Sequence, residues 1–352
     1  MKLLNNGGGG AIPLIQYGKK FDNSKILRTP QWIKEQVAKC TSKANEFSKQ
    51  PRKTLKVCPM CNSGAFQSYI EIYGFHYAEC KNCNNLFLTN PLKDIAQLYE
   101  NDGTESSFDS AYYDNNVFPI RTKTISKPKA NFINKVFKAL HKTNNPLWLD
   151  IGCGAGELLY VAKNLGFKTL GFESDTKAVQ FANQKLKGNV VQEGFLDILN
   201  CDLNLLQSIQ KAKIISFLNT LEHLESPKET LEFFGKKMKK DSLLVIEVPR
   251  HPSLASFANL VAPNLVYRHL IPPFHLNIFS EKSLELVYQK AGFKLVGKWV
   301  YGQGFMDIIH AFTQFDAQKN LYEQMSKISN EVQKIIDKNN LGDFLLLVLQ
   351  KI

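Results

Sequence analysis

The chain has 352 residues, 44% of them apolar and 22% charged, with 21 Gly and 14 Pro, which is the composition of a folded protein with a sizeable core and excludes disordered and collagen-like classes. Its formal net charge is +12, and nine of those excess charges fall in residues 1–57, where twelve Lys/Arg meet only Asp22, Glu35 and Glu46. The apolar runs, such as Phe344 to Leu349, are far shorter than the roughly 18 residues of a membrane-spanning helix, and the residues after Lys2 do not form a secretory signal, so a cytoplasmic protein with no integral membrane segment is expected.

Residues 1–57 read as a basic leader. Gly7 to Gly10 is too permissive to pack, but Thr29 and Pro30 suit an N-cap and first helical position, and Ile33, Val37, Cys40, Ala44 and Phe47 recur at helical spacing. One amphipathic helix is therefore predicted there. The charge suits nucleic acid, an anionic membrane surface, a phosphorylated substrate or simply a solvated arm, and the residues leave these open.

Residues 58–90 carry Cys58-Pro-Met-Cys61 and Cys80-Lys-Asn-Cys83, two C-x-x-C pairs at the spacing of a tetrahedral zinc site. Asn62, Ser63 and Gly64 after the first pair, and Asn84 and Asn85 after the second, suit the sharp turn that brings both thiolates to one ion. Phe66, Tyr69, Ile70, Ile72, Tyr73, Phe75 and Tyr77 between them favour strands. Four thiolates leave no open coordination position, so the zinc is expected to be structural.

Residues 91–145 read as a helical cap or linker, in which Tyr112, Tyr113, Arg121 and Lys123 either cover a bound cofactor and hold an anionic substrate or are plain surface residues, and the sequence leaves both open. From 146 to 352 short apolar runs alternate with helical stretches, with strands predicted at 147–151, 168–173, 189–193, 213–218 and 242–248. Ser226-Pro227-Lys228-Glu229 reads as a capping box that opens one helix, and another is predicted from Ser280 to Ala291. The first strand runs into Asp150-Ile151-Gly152-Cys153-Gly154-Ala155-Gly156. Position 157 is Glu where a dinucleotide fingerprint has Gly, and its carboxylate disfavours a pyrophosphate. Asp150 adds a second negative charge. That field suits S-adenosylmethionine, which is cationic and carries no phosphate, and Glu173 at the end of the second strand is placed to accept from both ribose hydroxyls.

These residues resemble a known family. LDIGCGAG, GFE at 171–173, FLNTLEHLESP at 217–227 and LLVIEVP at 243–249 are similar to the class I S-adenosylmethionine-dependent methyltransferases, and from about residue 58 onward the chain resembles the subgroup with an N-terminal zinc ribbon that acts on sugars and surface glycans. FHLNIFSEKSLELVYQKAGF at 274–293 and LGDFLLLVLQKI at 341–352 are similar to that subgroup's late helix and final strand. The resemblance implies an α/β, doubly wound Rossmann-like sheet of seven strands, whose last strand at 344–350 runs antiparallel beside 293–300, with a helical insertion at about 303–340. It implies Asp150, Gly152, Gly154 and Glu173 as cofactor contacts, with Gly156 completing the glycine loop, Phe195 and Leu196 near the adenine, and Asn219 at the methionyl end.

Methyl transfer to an alcohol calls for alignment and removal of a proton, and neutral His is the natural base. His275 and His223 are the candidates, with His269 nearby; Cys153 and Cys201 read as small apolar residues. The expected function is O-methylation of a sugar, nucleotide-sugar or glycan substrate. The alternatives are an RNA methyltransferase, in which ribbon and leader grip nucleic acid, and a sugar C-methyltransferase. Leu321, Met325, Ile328, Val332 and Ile335 form one apolar helical stripe, expected to pack on its own domain or to bind a second copy.

Overall fold

In chain order the N-terminal elements are β1 (Leu14–Tyr17), α1 (Pro30–Phe47), β2 (Phe66–Ile72), β3 (Phe75–Cys80) and β4 (Leu86–Leu88), followed by α2 (Val117–Arg121) and α3 (Lys127–Leu140). The alternating region holds β5 (Leu147–Ile151), α4 (Glu157–Asn164), β6 (Lys168–Glu173), α5 (Thr176–Leu186), β7 (Val191–Glu193), α6 (Leu203–Lys211), β8 (Ile214–Leu218), α7 (Pro227–Lys237) and β9 (Leu243–Pro249). The chain closes with α8 (Leu254–Val261), β10 (Asn277–Ile278), α9 (Glu281–Lys290), β11 (Phe293–Tyr301), α10 (Gly304–Thr313), α11 (Asn320–Lys338) and β12 (Phe344–Lys351). The structure, a computed structural model, describes residues 12–19, 30–98, 113–194, 203–265, 267–313 and 320–352.

The main sheet runs β7-β6-β5-β8-β9-β12-β11-β1. Strands β5 to β9 are mutually parallel, and β12 is antiparallel to both β9 and β11. This is the Rossmann-like α/β sheet expected, with an eighth strand added. That strand comes from the basic leader: Leu14 to Tyr17 pair in parallel with Gly297 to Val300, and Trp299 Nε1 donates to the Gly18 carbonyl at 2.9 Å. The described part of the leader is therefore folded, because β11 had an open edge whose backbone groups it satisfies.

The strands are near-continuous apolar runs because helices cover both faces. Trp148, Ile214, Val245 and Val348 pack with α3 and α4 on one face; Leu149, Ile215, Phe217 and Ile246 pack with α6, α7 and α9 on the other. Asp175 caps α5 by accepting from the amides of Lys177 and Ala178, and Ser280 caps α9 with Ser283 as its reciprocal partner. The capping box expected at Ser226 is not formed: its side chain accepts no cap hydrogen bond, and Pro227 in the first turn starts α7 without it.

A second sheet runs β10-β4-β3-β2, so residues 66–88 are completed by a strand from far along the chain. One side of it joins the main core through Cys58, Met60, Ala78 and Phe87. The other packs with Ile33, Cys40 and Ala44 of α1, the segment from Tyr267 to Ile278, and Met306 and Ile309 of α10. The stripe expected on α11 is rotated. Tyr322, Gln333 and Asp337 face inward, with Gln333 Nε2 donating to Asp337 at 2.8 Å, whereas Ile328 and Ile335 are exposed. Gln333 accepts from the Phe305 amide at 3.0 Å and donates to Asp337, and this partly satisfied polar face stands inward in place of the apolar stripe.

Candidate functional site

The order of the main sheet reverses between β5 and β8, and α/β folds bind ligands in the crevice at the carboxyl ends of such strands. A cavity of about 520 Å³ opens there. Its floor is the glycine loop. Gly152 has φ +69° and a Cβ on it would meet Thr220 Oγ1 at 2.5 Å, so only glycine fits; at Gly154, with φ +53°, a Cβ would meet no neighbouring atom within 4 Å. The Gly154 amide donates to Glu173 Oε2 at 2.7 Å, while Glu173 Oε1 accepts from the amides of Ser174 and Asp175. Glu173 thus stands at the cavity wall with the loop and the start of α5 tied to it. Gly156, with φ +77°, faces Ala182 of α5 instead and holds the helices close.

Asp150 lies under the loop. It is buried and accepts from Ser216 Oγ at 2.5 Å, and burial pushes its carboxyl up to about 7. The negative charge expected at this position therefore depends on pH near neutrality, because desolvation disfavours the ionised carboxyl. The charge expected on Glu157 is likewise offset, because Arg121 Nε donates to its Oε1 at 2.6 Å and Ser126 reaches its other oxygen. Arg121, expected to hold an anionic substrate, makes this ion pair at the cavity wall. Tyr113 donates to Asp175 at 3.0 Å beside the cavity. Tyr112, Phe195, Leu196 and Cys201 lie outside the described residues.

Asn219, with φ +55° just past β8, lines the cavity and donates its side-chain amide to Glu247 Oε1 at 3.1 Å. Glu247 also accepts from Lys129 at 2.5 Å and from the Tyr301 hydroxyl at 2.6 Å, making a buried polar knot. The sequence reading missed Lys129, Glu247 and Tyr301, although a lone Glu in the otherwise apolar run LLVIEVP is the signal that would have found them. It also missed Trp32 and Gln36, which α1 brings to the cavity wall, and Arg268, which binds Asp307 and Asp343.

The other end of the cavity holds the histidines. A short turn after β8, Leu221 to His223, carries Glu222 and His223, and the segment before β10 carries His275. The two imidazoles meet edge to face with centroids 4.9 Å apart. His223 Nδ1 lies 3.0 Å from the Phe274 carbonyl and His275 Nδ1 2.5 Å from the His269 carbonyl, so each donates Nδ1–H and presents Nε2 as its lone-pair nitrogen. Burial holds both below the ordinary value near 6.5, His223 at about 4 and His275 at about 3, so both rings are neutral at pH 7. Burial also raises the Glu222 carboxyl well above the ordinary carboxylate range, and neither of its oxygens has a hydrogen-bond donor among the described residues. His269 is buried behind this cluster, its Nε2 3.3 Å from Ser253 Oγ.

The four cysteines converge. Cys58 Sγ lies 3.6 Å from Cys83 Sγ and Cys61 Sγ 3.5 Å from Cys80 Sγ, close to the roughly 3.8 Å that Zn–S bonds of about 2.3 Å set between tetrahedral ligands. The two knuckles have one geometry: Asn62 and Asn84 adopt φ +59° and +58°, and their amides donate to the carbonyls of Cys58 and Cys80. These thiols fit a structural zinc. The sheet they close also supports the cavity, since Tyr77 donates its hydroxyl to the His275 carbonyl at 2.8 Å and β4 pairs with β10 two residues beyond His275.

Comparison with known proteins matches residues 124–298 to the family described as Methyltransferase domain. The ubiquinone biosynthesis O-methyltransferase of Schizosaccharomyces pombe is 23% identical over 144 residues, 41% of this chain, and the chain spans about half (53%) of that relative's length. Among solved structures, a SAM-dependent methyltransferase from Archaeoglobus fulgidus is similar at 21% identity, with 67% of this chain and 98% of that chain covered and a TM-score of 0.43. Magnesium protoporphyrin IX methyltransferase from Synechocystis PCC 6803, solved with bound SAH, is similar at 14% identity over 73% of this chain and 99% of that chain, with a TM-score of 0.48. Among the described residues no helix is long and apolar enough to cross a membrane.

Proposed function

Given a chain that carries a class I S-adenosylmethionine-dependent methyltransferase domain, we propose that it methylates a hydroxyl of a small polar molecule, with sugars and nucleotide sugars as the first substrate class. The observation that carries this reading is the shared cavity: the glycine loop and Glu173 at one end, and His223 and His275 with neutral, tautomer-fixed rings at the other. In it, Glu173 accepts from the ribose hydroxyls, the backbone of Gly152 to Gly154 cradles the methionyl part beside Asn219, and Asp150 ionises when the cationic cofactor enters. The histidines accept the acceptor's O–H and aim its oxygen at the methyl carbon, in line with the sulfur that leaves. The four-cysteine zinc is structural in this reading.

Trp32, Tyr267 and Phe274 give the acceptor end flat apolar walls among polar groups, which suits the mixed faces of a sugar. The described part of the basic leader contributes Trp32 and Gln36 to the wall of this cavity, which favours a small molecule, although Lys34, Lys39, Lys49 and Lys56 stand exposed on the same segment.

The test is turnover with S-adenosylmethionine and a panel of nucleotide sugars, sugar phosphates, free sugars, phenols and RNA, following S-adenosylhomocysteine and locating the methyl group by NMR. A methyl on oxygen of a small acceptor is expected; methyl on carbon, or activity on RNA alone, overturns the proposal. His275→Ala should lower turnover by about 10²–10⁴ and leave cofactor affinity nearly unchanged.

A further inference from the structure

We infer that Glu222, His223 and His275 form a binding site for a divalent transition-metal ion at the acceptor end of the cavity. What the ion does there rests on the hydroxyl-methylating reading; whether it binds does not.

Three observations converge. One ligand atom from each residue lies within 4.8 Å of the other two, and ligands bonded at about 2.1 Å to one ion stand about 3–4 Å apart, so a closure of under about 2 Å completes the set. Both imidazoles donate Nδ1–H to a backbone carbonyl, Phe274 for His223 and His269 for His275. That is the outer-shell arrangement that fixes Nε2 as a metal ligand, and two rings share it here. Finally, Glu222 is fully buried with both carboxylate oxygens lacking a donor among the described residues. A buried carboxyl in that state is costly, and a cation held by the two neighbouring nitrogens would satisfy it.

Two imidazoles and one carboxylate suit Zn²⁺, Mn²⁺ or Co²⁺ better than Mg²⁺ or Ca²⁺, which prefer all-oxygen sets. Three protein ligands leave positions open towards the cavity, unlike the four cysteines. A substrate with two adjacent oxygens, such as a vicinal diol, would fill them. With the ion bound, the two Nε2 atoms are its ligands and the ion, in place of the imidazoles, holds the acceptor hydroxyl: coordination makes that hydroxyl more acidic and its proton passes to water, and the oxygen lone pair forms the O–CH₃ bond as the S–CH₃ bond breaks, its electron pair staying on sulfur.

The probe is Zn²⁺ itself. Protein dialysed to equilibrium against micromolar Zn²⁺ should hold two ions per chain, one at the cysteines and one here. Glu222→Gln and His275→Ala should each hold one, with the second ion weakened at least about tenfold, since loss of an outer-shell partner alone costs 10–100-fold. Circular dichroism and S-adenosylmethionine binding establish that each variant is folded; His223→Ala takes the place of either one that is not. A wild type that holds one ion, or variants that hold two with unchanged affinity, overturns the site. Failure of the hydroxyl reading is seen separately, as bound metal with no O-methylated product.

Discussion

The four cysteines and the Glu222–His223–His275 cluster are both arranged to hold a cation, but they are built in opposite ways. Each cysteine pair sits on its own tight turn, with an Asn in the left-handed region and the same amide-to-carbonyl hydrogen bond, so half of the site is specified by four or five consecutive residues. The cluster has no such local code. Two of its members follow β8, the third precedes β10, and they meet because the Leu276 amide donates to the Glu222 carbonyl and because the small sheet holds β10 in place. A site written into turns is readable from spacing, whereas one assembled by tertiary pairing depends on everything that holds its parts together.

The sharpest test of this dependence is Cys80→Ser. Structural zinc supplies on the order of 10 kcal/mol to small zinc modules, so the variant should lose the zinc held by the cysteines and melt far below wild type. Because the same sheet carries β10 and Tyr77 braces the His275 carbonyl, turnover should fall to background as well. Metal content, melting temperature and turnover measured together decide it; a variant without that zinc that keeps full turnover would separate the two regions entirely.

A second test lies in the knot beside Asn219, where neither local turns nor metal are involved. Lys129→Met leaves the Glu247 carboxylate buried without its cation, which should cost about 3–5 kcal/mol in chemical denaturation. Adding Glu247→Gln should recover part of that loss. Equal stability of the single variant and the wild type would mean the pair is not formed in solution.

Smaller again is Glu173→Ala. Loss of charge-assisted hydrogen bonds to the ribose should weaken S-adenosylmethionine by roughly 1.5–3 kcal/mol, about ten- to a hundredfold. The Gly154 amide loses its acceptor in the same variant, so the loop itself should loosen. An unchanged dissociation constant in calorimetry would place the ribose elsewhere.

Much of the fold was legible because its signals are local: alternating apolar runs, the glycines before α4, Ser280 capping α9. What escaped depends on distant pairing. No feature of Leu14 to Tyr17 announces that it joins the edge of β11, and the helical spacing in α1 predicts a helix without revealing that Trp32 reaches the cavity. On α11 the apolar periodicity pointed to Ile328 and Ile335, yet Gln333 and Asp337 are buried, because hydrogen bonds formed on folding outweighed the pattern. Glu222 stood beside His223 in plain view; its significance lies in having no donor among the described residues, a property that only the folded surroundings confer.

The last test concerns Asp150, whose position was legible and whose charge state was not. Burial lifts its carboxyl from an ordinary 3.8 to about 7, so between those values the empty native protein holds a proton that the unfolded chain has released. Stability of the empty protein should therefore fall as pH rises from about 4 to 7, and Asp150→Asn should remove that part of the slope. The cationic cofactor favours the ionised form, so its affinity should change in the opposite sense, rising with pH by up to about tenfold per unit until the carboxyl of the empty protein is ionised. Calorimetry at pH 6, 7 and 8 reads the effect, and repetition in buffers of different ionisation enthalpy reads the proton released on binding. In Asp150→Asn the pH slope should be smaller and the linked proton absent. Wild-type affinity that is flat across this range would mean that Asp150 is already ionised in the empty protein and that the negative charge expected from the sequence stands at neutral pH after all.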